Sequence, residues 1–330
     1  MATSKRLLLA AGLAAALTAA APAWATRIAY TSLGLYSHVR VMDGDGTHKL
    51  ALTNGSVDDV SPAWSPAGTR LVFVRRRADR SDDLYRVQAD GSGLRRLTQT
   101  SASEANPVWS PLGSRLACEH GNATGSFEIV VMNADGTDRR RLTNNGRDDL
   151  EPVWAPNGLR IAYTGFVNAR NSEIFTIHPD GTTRRRLTFT SAEEHHPDWS
   201  SKGEIAFVRY RSTTHQLVVM NGDGSGKRVL WSAAGIFKAE WSPGGTRLVV
   251  EVWDGNDYEL VMVSSAGART RLTRNDVDDF APVWAPTGRR IAFTRFGGVS
   301  NDIWTMSADG TGKERLTTSP RHETAADWAR

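Results

Sequence analysis

Short runs of apolar and β-branched residues recur along this chain at a nearly constant pitch, each bounded by proline, glycine or an acidic turn. RIAY, RLVF, RLAC, RIAY, EIAF, RLVV and RIAF begin at Arg27, Arg70, Arg115, Arg160, Glu204, Arg247 and Arg290. Runs this short, rich in branched and aromatic residues, read as strands. Tryptophan keeps the same beat at Trp64, Trp109, Trp154, Trp199, Trp241, Trp284 and Trp328, at intervals of 42 to 45 residues. A period in that range marks a propeller or another array of repeated modules. Around Trp154 the unit divides into four pieces, EPVWAP, RIAY, SEIFTIHPDG and RRRLT. The third piece runs into an Asp-Gly turn at Asp45, Asp90, Asp135, Asp180, Asp223 and Asp309, with Ala266-Gly267 in the remaining unit. The fourth ends in Leu-Thr at Leu52, Leu97, Leu142, Leu187, Leu272 and Leu316, and Leu230-Trp231 is the exception.

All four markers occur seven times, and their order is informative. The first marker along the chain is a second strand at Arg27 and the last is a first strand at Trp328. The two ends therefore combine into one unit, which predicts an all-β, seven-bladed propeller of four-stranded antiparallel blades. Thr324 to Trp328 should close the ring by pairing against Arg27 to Ser32. A six-bladed ring is the alternative, and it leaves four strands without a place. Proline two residues before tryptophan, as at Pro62, Pro107, Pro152, Pro197 and Pro282, suits an edge strand beside the central channel. The tryptophans then read as core between blades. The arginine-rich fourth strands read as charged outer edges that discourage aggregation.

Composition places this ring outside the cytoplasm. Lys5 and Arg6, an alanine-rich apolar stretch from Leu7 to Ala21 and Ala23-Trp24-Ala25 have the form of a secretory leader removed after Ala25. Residues 1–25 are thus expected to be a signal peptide and 26–330 a single propeller domain, secreted or periplasmic, with no membrane span. The formal charge of +4 becomes +2 once Lys5 and Arg6 leave, too small a surplus to suggest nucleic acid. Cys118 is the single cysteine and takes the slot of Phe73, Tyr163, Phe207 and Phe293, so it reads as core.

Trp-Ser-Pro-x-Gly-x-Arg-Leu/Ile, an Asp-Gly turn and Arg-Arg-Leu-Thr, repeated through the chain and closest to consensus from Trp64, Trp109, Trp154 and Trp284, resemble the TolB-type, WD-like β-propeller repeat. The resemblance implies the fold and, to a lesser degree, a role in a Tol-Pal-like system. Relatives carry either an extra α/β domain before the propeller or an attached peptidase domain. A ring without either is expected here, since no Gly-x-Ser-x-Gly elbow is present.

Turns joining first to second and third to fourth strands share one face and are nearly identical. Loops on the other face differ, among them GFVNARNS, RYRSTTH and EVWDGND. Variable loops carry function, so that face is the expected binding face. It bears Tyr36, Phe166, Tyr210, Trp253 and Phe296. The fifth residue before each repeat tryptophan is Asp59, Glu104, Asp149, Glu194, Ile236, Asp279 and Glu323. Arranged by the ring, these acids would form a carboxylate collar at the channel mouth, broken at Ile236 and Phe237. The structural alternative is that each pairs within its own blade. A collar would attract a basic peptide or a hard cation such as calcium. No organic cofactor is expected, and the identity of any metal site is left open. Glu193-Glu194-His195-His196 with His322-Glu323 suggests a metal site less well, because adjacent strand residues point to opposite faces. The favoured function is a monomeric scaffold that receives a protein or peptide partner at the channel mouth. A propeller hydrolase or lyase acting on a sugar, lactone or peptide at the channel carboxylates is ranked below it, with an envelope structural protein as a third class.

Overall fold

The computed structural model describes residues 27–78, 81–121 and 125–329. The expected leader lies outside the described residues. Twenty-eight strands, β1 to β28 in chain order, form seven four-stranded antiparallel sheets among the described residues. Blade one joins β1 (Arg27–Leu33), β2 (Ser37–Asp43) and β3 (Leu50–Ala51) to β28 (His322–Trp328). Blades two to seven each take four consecutive strands. Their inner strands are Asp59–Trp64, Glu104–Trp109, Asp149–Trp154, Glu193–Trp199, Ile236–Trp241 and Asp279–Trp284. The ring closes in the expected register, with Ile28 opposite Trp328, Thr31 opposite Thr324 and Ser32 opposite Glu323. The six-bladed alternative is excluded.

The repeat tryptophans weld neighbouring blades. Trp64 packs with Ala29, Val39 and Val41 of blade one as well as with Leu71 and Phe73 of its own blade. The indole N–H groups of Trp109, Trp154 and Trp284 donate to Ala63 O, Val108 O and Glu240 O on the preceding inner strand, at 3.1, 3.3 and 3.2 Å. Removing one such side chain costs about 3–5 kcal/mol. Cys118 is fully buried among Trp109, Leu116 and Val130, and burial pushes its thiol far above the ordinary range.

The Leu-Thr marker has a local cause. In six blades the threonine hydroxyl accepts the N–H of a third-strand residue: Thr53 from Val39, Thr98 from Leu84, Thr143 from Ile129, Thr188 from Ile174, Thr273 from Leu260 and Thr317 from Ile303, all at 2.8 to 3.0 Å. These donors would otherwise be orphaned, because the regular fourth strand ends after two or three residues. Blade five lacks the threonine, and its fourth strand instead runs on from Arg228 to Ala233. The outer arginines do more than charge an edge. Arg96, Arg141, Arg186 and Arg315 reach buried third-strand acids, Asp83, Glu128, Glu173 and Asp302, at 2.6, 3.0, 2.7 and 2.6 Å.

Each inner strand of blades two to five and seven carries a bulge just ahead of its tryptophan, between Val60 and Ala63, Ala105 and Val108, Leu150 and Val153, His195 and Asp198, and Phe280 and Val283. The first extra residue stands in the left-handed region: Ser61, Asn106, Glu151, His196 and Ala281, with φ from 46° to 57°. Such a conformation is uncommon for side chains other than glycine. Proline follows in all five, so a ladder donor is absent where the strand bends.

Candidate functional site

The expected collar acids are buried. Asp59, Glu104, Asp149, Glu194 and Asp279 are fully enclosed, and Glu323 is nearly so. Their partners stand directly opposite on the second strand of the same blade. Arg75 grips Asp59 through two bonds of 2.7 and 2.9 Å, and Arg295 grips Asp279 at 2.6 and 2.7 Å. Arg209 bonds Glu194 at 2.7 Å, His120 lies 3.0 Å from Glu104, and Ser32 donates to Glu323 at 3.3 Å. Ile236 is also buried and faces Val252, so an apolar pair replaces the ion pair in blade six. Phe237 alone of this set is exposed, at 44%.

Asp149 is the odd member. Gly165 stands opposite it, and a Cβ there would meet Phe175 at 2.7 Å and Asp149 Oδ1 at 2.9 Å, so no arginine can occupy that place. Arg184 approaches only to 3.8 Å. Burial pushes the Asp149 carboxyl up to about 6, with Arg184 and Asn145 opposing the shift. A carboxyl raised on folding favours the fold below its unfolded pKa of about 3.9, and that advantage is lost as pH rises through 6. Asp149→Asn is accordingly expected to raise Tm at pH 8, by on the order of 2–3 kcal/mol of stability, and to leave it unchanged near pH 4. Thermal melts of both chains at the two pH values check this.

The bulges bring a different set of side chains to the channel. Three residues before each tryptophan stand Ser61, Asn106, Glu151, His196, Lys238, Ala281 and Ala325. Their backbone N–H groups latch onto the preceding blade: Glu151 N to Glu119 Oε1 at 2.7 Å, His196 N to Glu151 Oε2 at 2.7 Å, Ala281 N to Glu251 Oε2 at 3.0 Å and Ala325 N to Thr294 Oγ1 at 3.0 Å. Between blades four and five the slot holds a carboxylate–imidazole pair, with Glu151 Oε1 2.7 Å from His196 Nδ1. Thr164 donates to Glu151 Oε2 at 2.8 Å. His195 also lies 4.0 Å from Glu151, so two adjacent histidines address one carboxylate. The expectation that they point to opposite faces fails here because His196 is itself the first bulge residue, in the left-handed region, so strand alternation is broken directly after His195.

The carboxyls around this pair are pushed apart. Burial raises Glu119, against bonds from Glu151 N and Asn106, and raises Glu251, against Ala281 N, Lys238 and His196. Burial would also raise Glu151, but the hydrogen bond and charge of His196 bring it down to about 2. Burial lowers His195, with Glu151 opposing. A carboxylate and neighbouring carboxyls held on opposite sides of the ordinary range are suited to accepting and donating protons in one site.

A chain of aromatic rings extends from the pair. Phe166 and Tyr210 meet His195 edge-on at 5.7 and 5.5 Å, and Phe237 lies 5.3 Å from His196. Tyr258 bridges Phe237 and Trp253 at 6.2 and 5.3 Å. Of the expected loop aromatics, Phe166, Tyr210 and Trp253 join this chain. Tyr36 and Phe296, on blades one and seven, make no ring contact with it among the described residues.

The family model described as the TolB beta propeller domain matches residues 18–203 and 196–330. The chain belongs to the TolB beta propeller family. Within it, the Tol-Pal system protein TolB of Anaeromyxobacter dehalogenans strain 2CP-C is 31% identical over 125 residues, 38% of this chain and 29% of that protein. The match thus spans under a third of the curated relative's length. Among solved structures, an oligogalacturonate lyase in complex with manganese superposes with a TM-score of 0.72 at 14% identity, covering 86% of each chain. A puromycin-hydrolyzing peptidase of Mycobacterium tuberculosis gives 0.67 at 16% identity, with 89% of this chain covering 54% of the peptidase. At these identities the likeness is one of fold.

The ranking of a scaffold above an enzyme is overturned. This TolB-type ring shares its architecture with lyases and peptidases, and Asp254, Asp257 and Glu259 gather in an acidic triad able to hold a metal ion. Among the described residues, no helix is long and apolar enough to cross a membrane.

Proposed function

We propose that this chain is a propeller enzyme, a lyase or hydrolase that acts on a saccharide at the channel face between blades four and six. The Glu151–His196 pair carries the reading. Its 2.7 Å contact orients the imidazole through Nδ1 and leaves Nε2 for proton transfer. Glu119 and Glu251, both pushed up by burial, are further carboxyls that can exchange a proton beside it. Lys238, in the same slot of the next blade, offers a positive charge to a developing anion. Phe166, Tyr210, Phe237 and Trp253 give flat apolar surfaces on which a sugar ring can rest. A saccharide is preferred to a peptide because, of the two enzymes compared above, the oligogalacturonate lyase is matched along 86% of its own length and the peptidase along 54%.

We read residues 1–25 as a leader and 26–330 as one propeller, so this chemistry takes place in the periplasm or outside the cell. The test is turnover of uronate and neutral oligosaccharides, with and without divalent cation. Ultraviolet absorbance reports the double bond left by a lyase, and new reducing ends report either reaction. Binding to the same panel is followed by tryptophan fluorescence. Absence of both turnover and binding sinks the proposal.

Membership of the TolB family and the exposure of Phe237 and Trp253, 44% and 41%, support a second reading in which the same face receives a protein segment. Capture of a partner by the intact chain, lost in Phe237→Ala and Trp253→Ala without saccharide turnover, would favour that reading.

A further inference from the structure

In blade six the regular pattern of arginines and third-strand acids is broken. Arg271 has moved away from Glu259, to 3.6 Å, and bonds Asp254 on the loop instead. The equivalent arginine of four other blades holds its acid at 2.6 to 3.0 Å. Three residues before the buried aliphatic of the third strand, Leu84, Ile129 and Ile303 are preceded by Ser81, Ser126 and Ser300, whereas Leu260 is preceded by Asp257. Blade six has therefore placed a charge where three others place a neutral hydroxyl.

Among the described residues, no hydrogen bond meets that charge. Asp257 is 3% exposed, yet neither of its carboxylate oxygens has a hydrogen-bond partner. Glu259 is fully buried, and its Oε2 is also unpartnered. Asp276 and Asp278 add to the negative field at Asp257. A buried carboxylate with two bare oxygens costs several kcal/mol unless something meets it. The protein's own cation, Arg271, bonds Asp254 and reaches Asp257 only by its charge, without a hydrogen bond.

We propose that Asp254, Asp257 and Glu259 bind a hard divalent cation of the calcium class, with Asp257 as the anchoring ligand. One oxygen or more from each residue lies within 4.8 Å of the others. Oxygens on opposite sides of a calcium ion, bound at about 2.3–2.6 Å, lie about that far apart. All the ligands are carboxylates, which suits a hard ion and disfavours metals that prefer nitrogen or sulfur. A surface cavity lined by Asp254, Asn256, Arg271, Arg274, Asn275 and Asp276 reaches the cluster at Asp254, which gives an ion and its waters an approach from that side. Binding would release Arg271 from Asp254 and tie the loop that follows Trp253 to the third strand. The site lies beside the proposed saccharide face and stands whether or not that face is catalytic.

The test uses the whole chain, stripped with chelator and titrated with calcium chloride in a calorimeter, with Tm recorded at each concentration. One saturable site and a Tm that climbs with calcium are expected. Asp257→Asn keeps the shape but removes the anchor, and should weaken calcium binding by about 100-fold or more while the calcium-free chain melts no lower than the original. Asp254→Asn, on an exposed residue, provides a second variant that leaves the core untouched and should weaken binding at least tenfold. No heat and no Tm shift with calcium would overturn the site, as would an equal shift in Asp257→Asn or an equal effect of sodium chloride at matched ionic strength.

Discussion

A chain ending at residue 319 is expected to lose the cooperative melt of the full protein and to aggregate. The deletion removes β28, the inner strand of blade one, and with it Trp328 and Ala325 from the cluster that holds Ile28, Tyr30, Met42, Ala285 and Leu316. It also strips Trp64 N of its 2.7 Å bond to Asp327 Oδ2, opening the joint between blades one and two. Loss of one buried tryptophan costs about 3–5 kcal/mol, and domains of this kind hold only about 5–15 kcal/mol in total. The bared edge of β1, with Ile28, Ala29 and Tyr30 beside it, is a template for pairing with other chains. Circular dichroism melts and gel filtration read the outcome. A truncated chain that melts like the full one, as a monomer, would show that the ring does not depend on its clasp. A peptide of residues 320–330 should restore the melt if the loss is one of closure.

His196→Asn is expected to lower kcat on the cognate saccharide by about 10²–10⁴ while leaving Tm nearly unchanged. Asparagine is chosen because it tolerates the left-handed backbone at this position, φ 56°, and Asn106 already occupies the matching slot of blade three at φ 46°. Glu151→Gln removes the charge that orients the imidazole but keeps an acceptor for His196 N, and should lower kcat with little change in KM. Because Glu151 titrates near 2, it remains ionised through the working range and should not set the acid limb of the pH–rate profile. Equal activity in the two variants and the original would remove the pair from the mechanism.

The fold was legible because repetition multiplies weak signals. One tryptophan or one Leu-Thr says little, but seven units with their markers in one order fix the strand count and the shared blade. Site geometry was harder to see. The collar acids were visible as a repeat, yet their partners lie fifteen or sixteen residues downstream, where Arg75, His120, Gly165, Arg209, Val252 and Arg295 answer Asp59, Glu104, Asp149, Glu194, Ile236 and Asp279. Comparing those two columns within the one chain shows charge facing charge and Ile236 facing Val252, which is the mark of pairing inside each blade. His196 was visible only within a His-rich run, and its pairing with Glu151 escaped notice for another reason. They are forty-five residues apart, are neighbours only because blades are neighbours, and point where they do because of a bulge that strand alternation cannot anticipate. The usable signal was a slot whose polar chemistry changes from blade to blade, running through serine, asparagine, glutamate, histidine, lysine and alanine.

The shared blade also sets a timetable. As the chain is made or passes through a pore, blades two to seven each have all four strands in hand soon after they emerge, but blade one waits with three. Its partner strand arrives last, nearly three hundred residues after Arg27, and contacts so distant in sequence form slowly. The ring can therefore lock only when the final turn of chain is free, so an incomplete copy has no early opportunity to set in a closed shape.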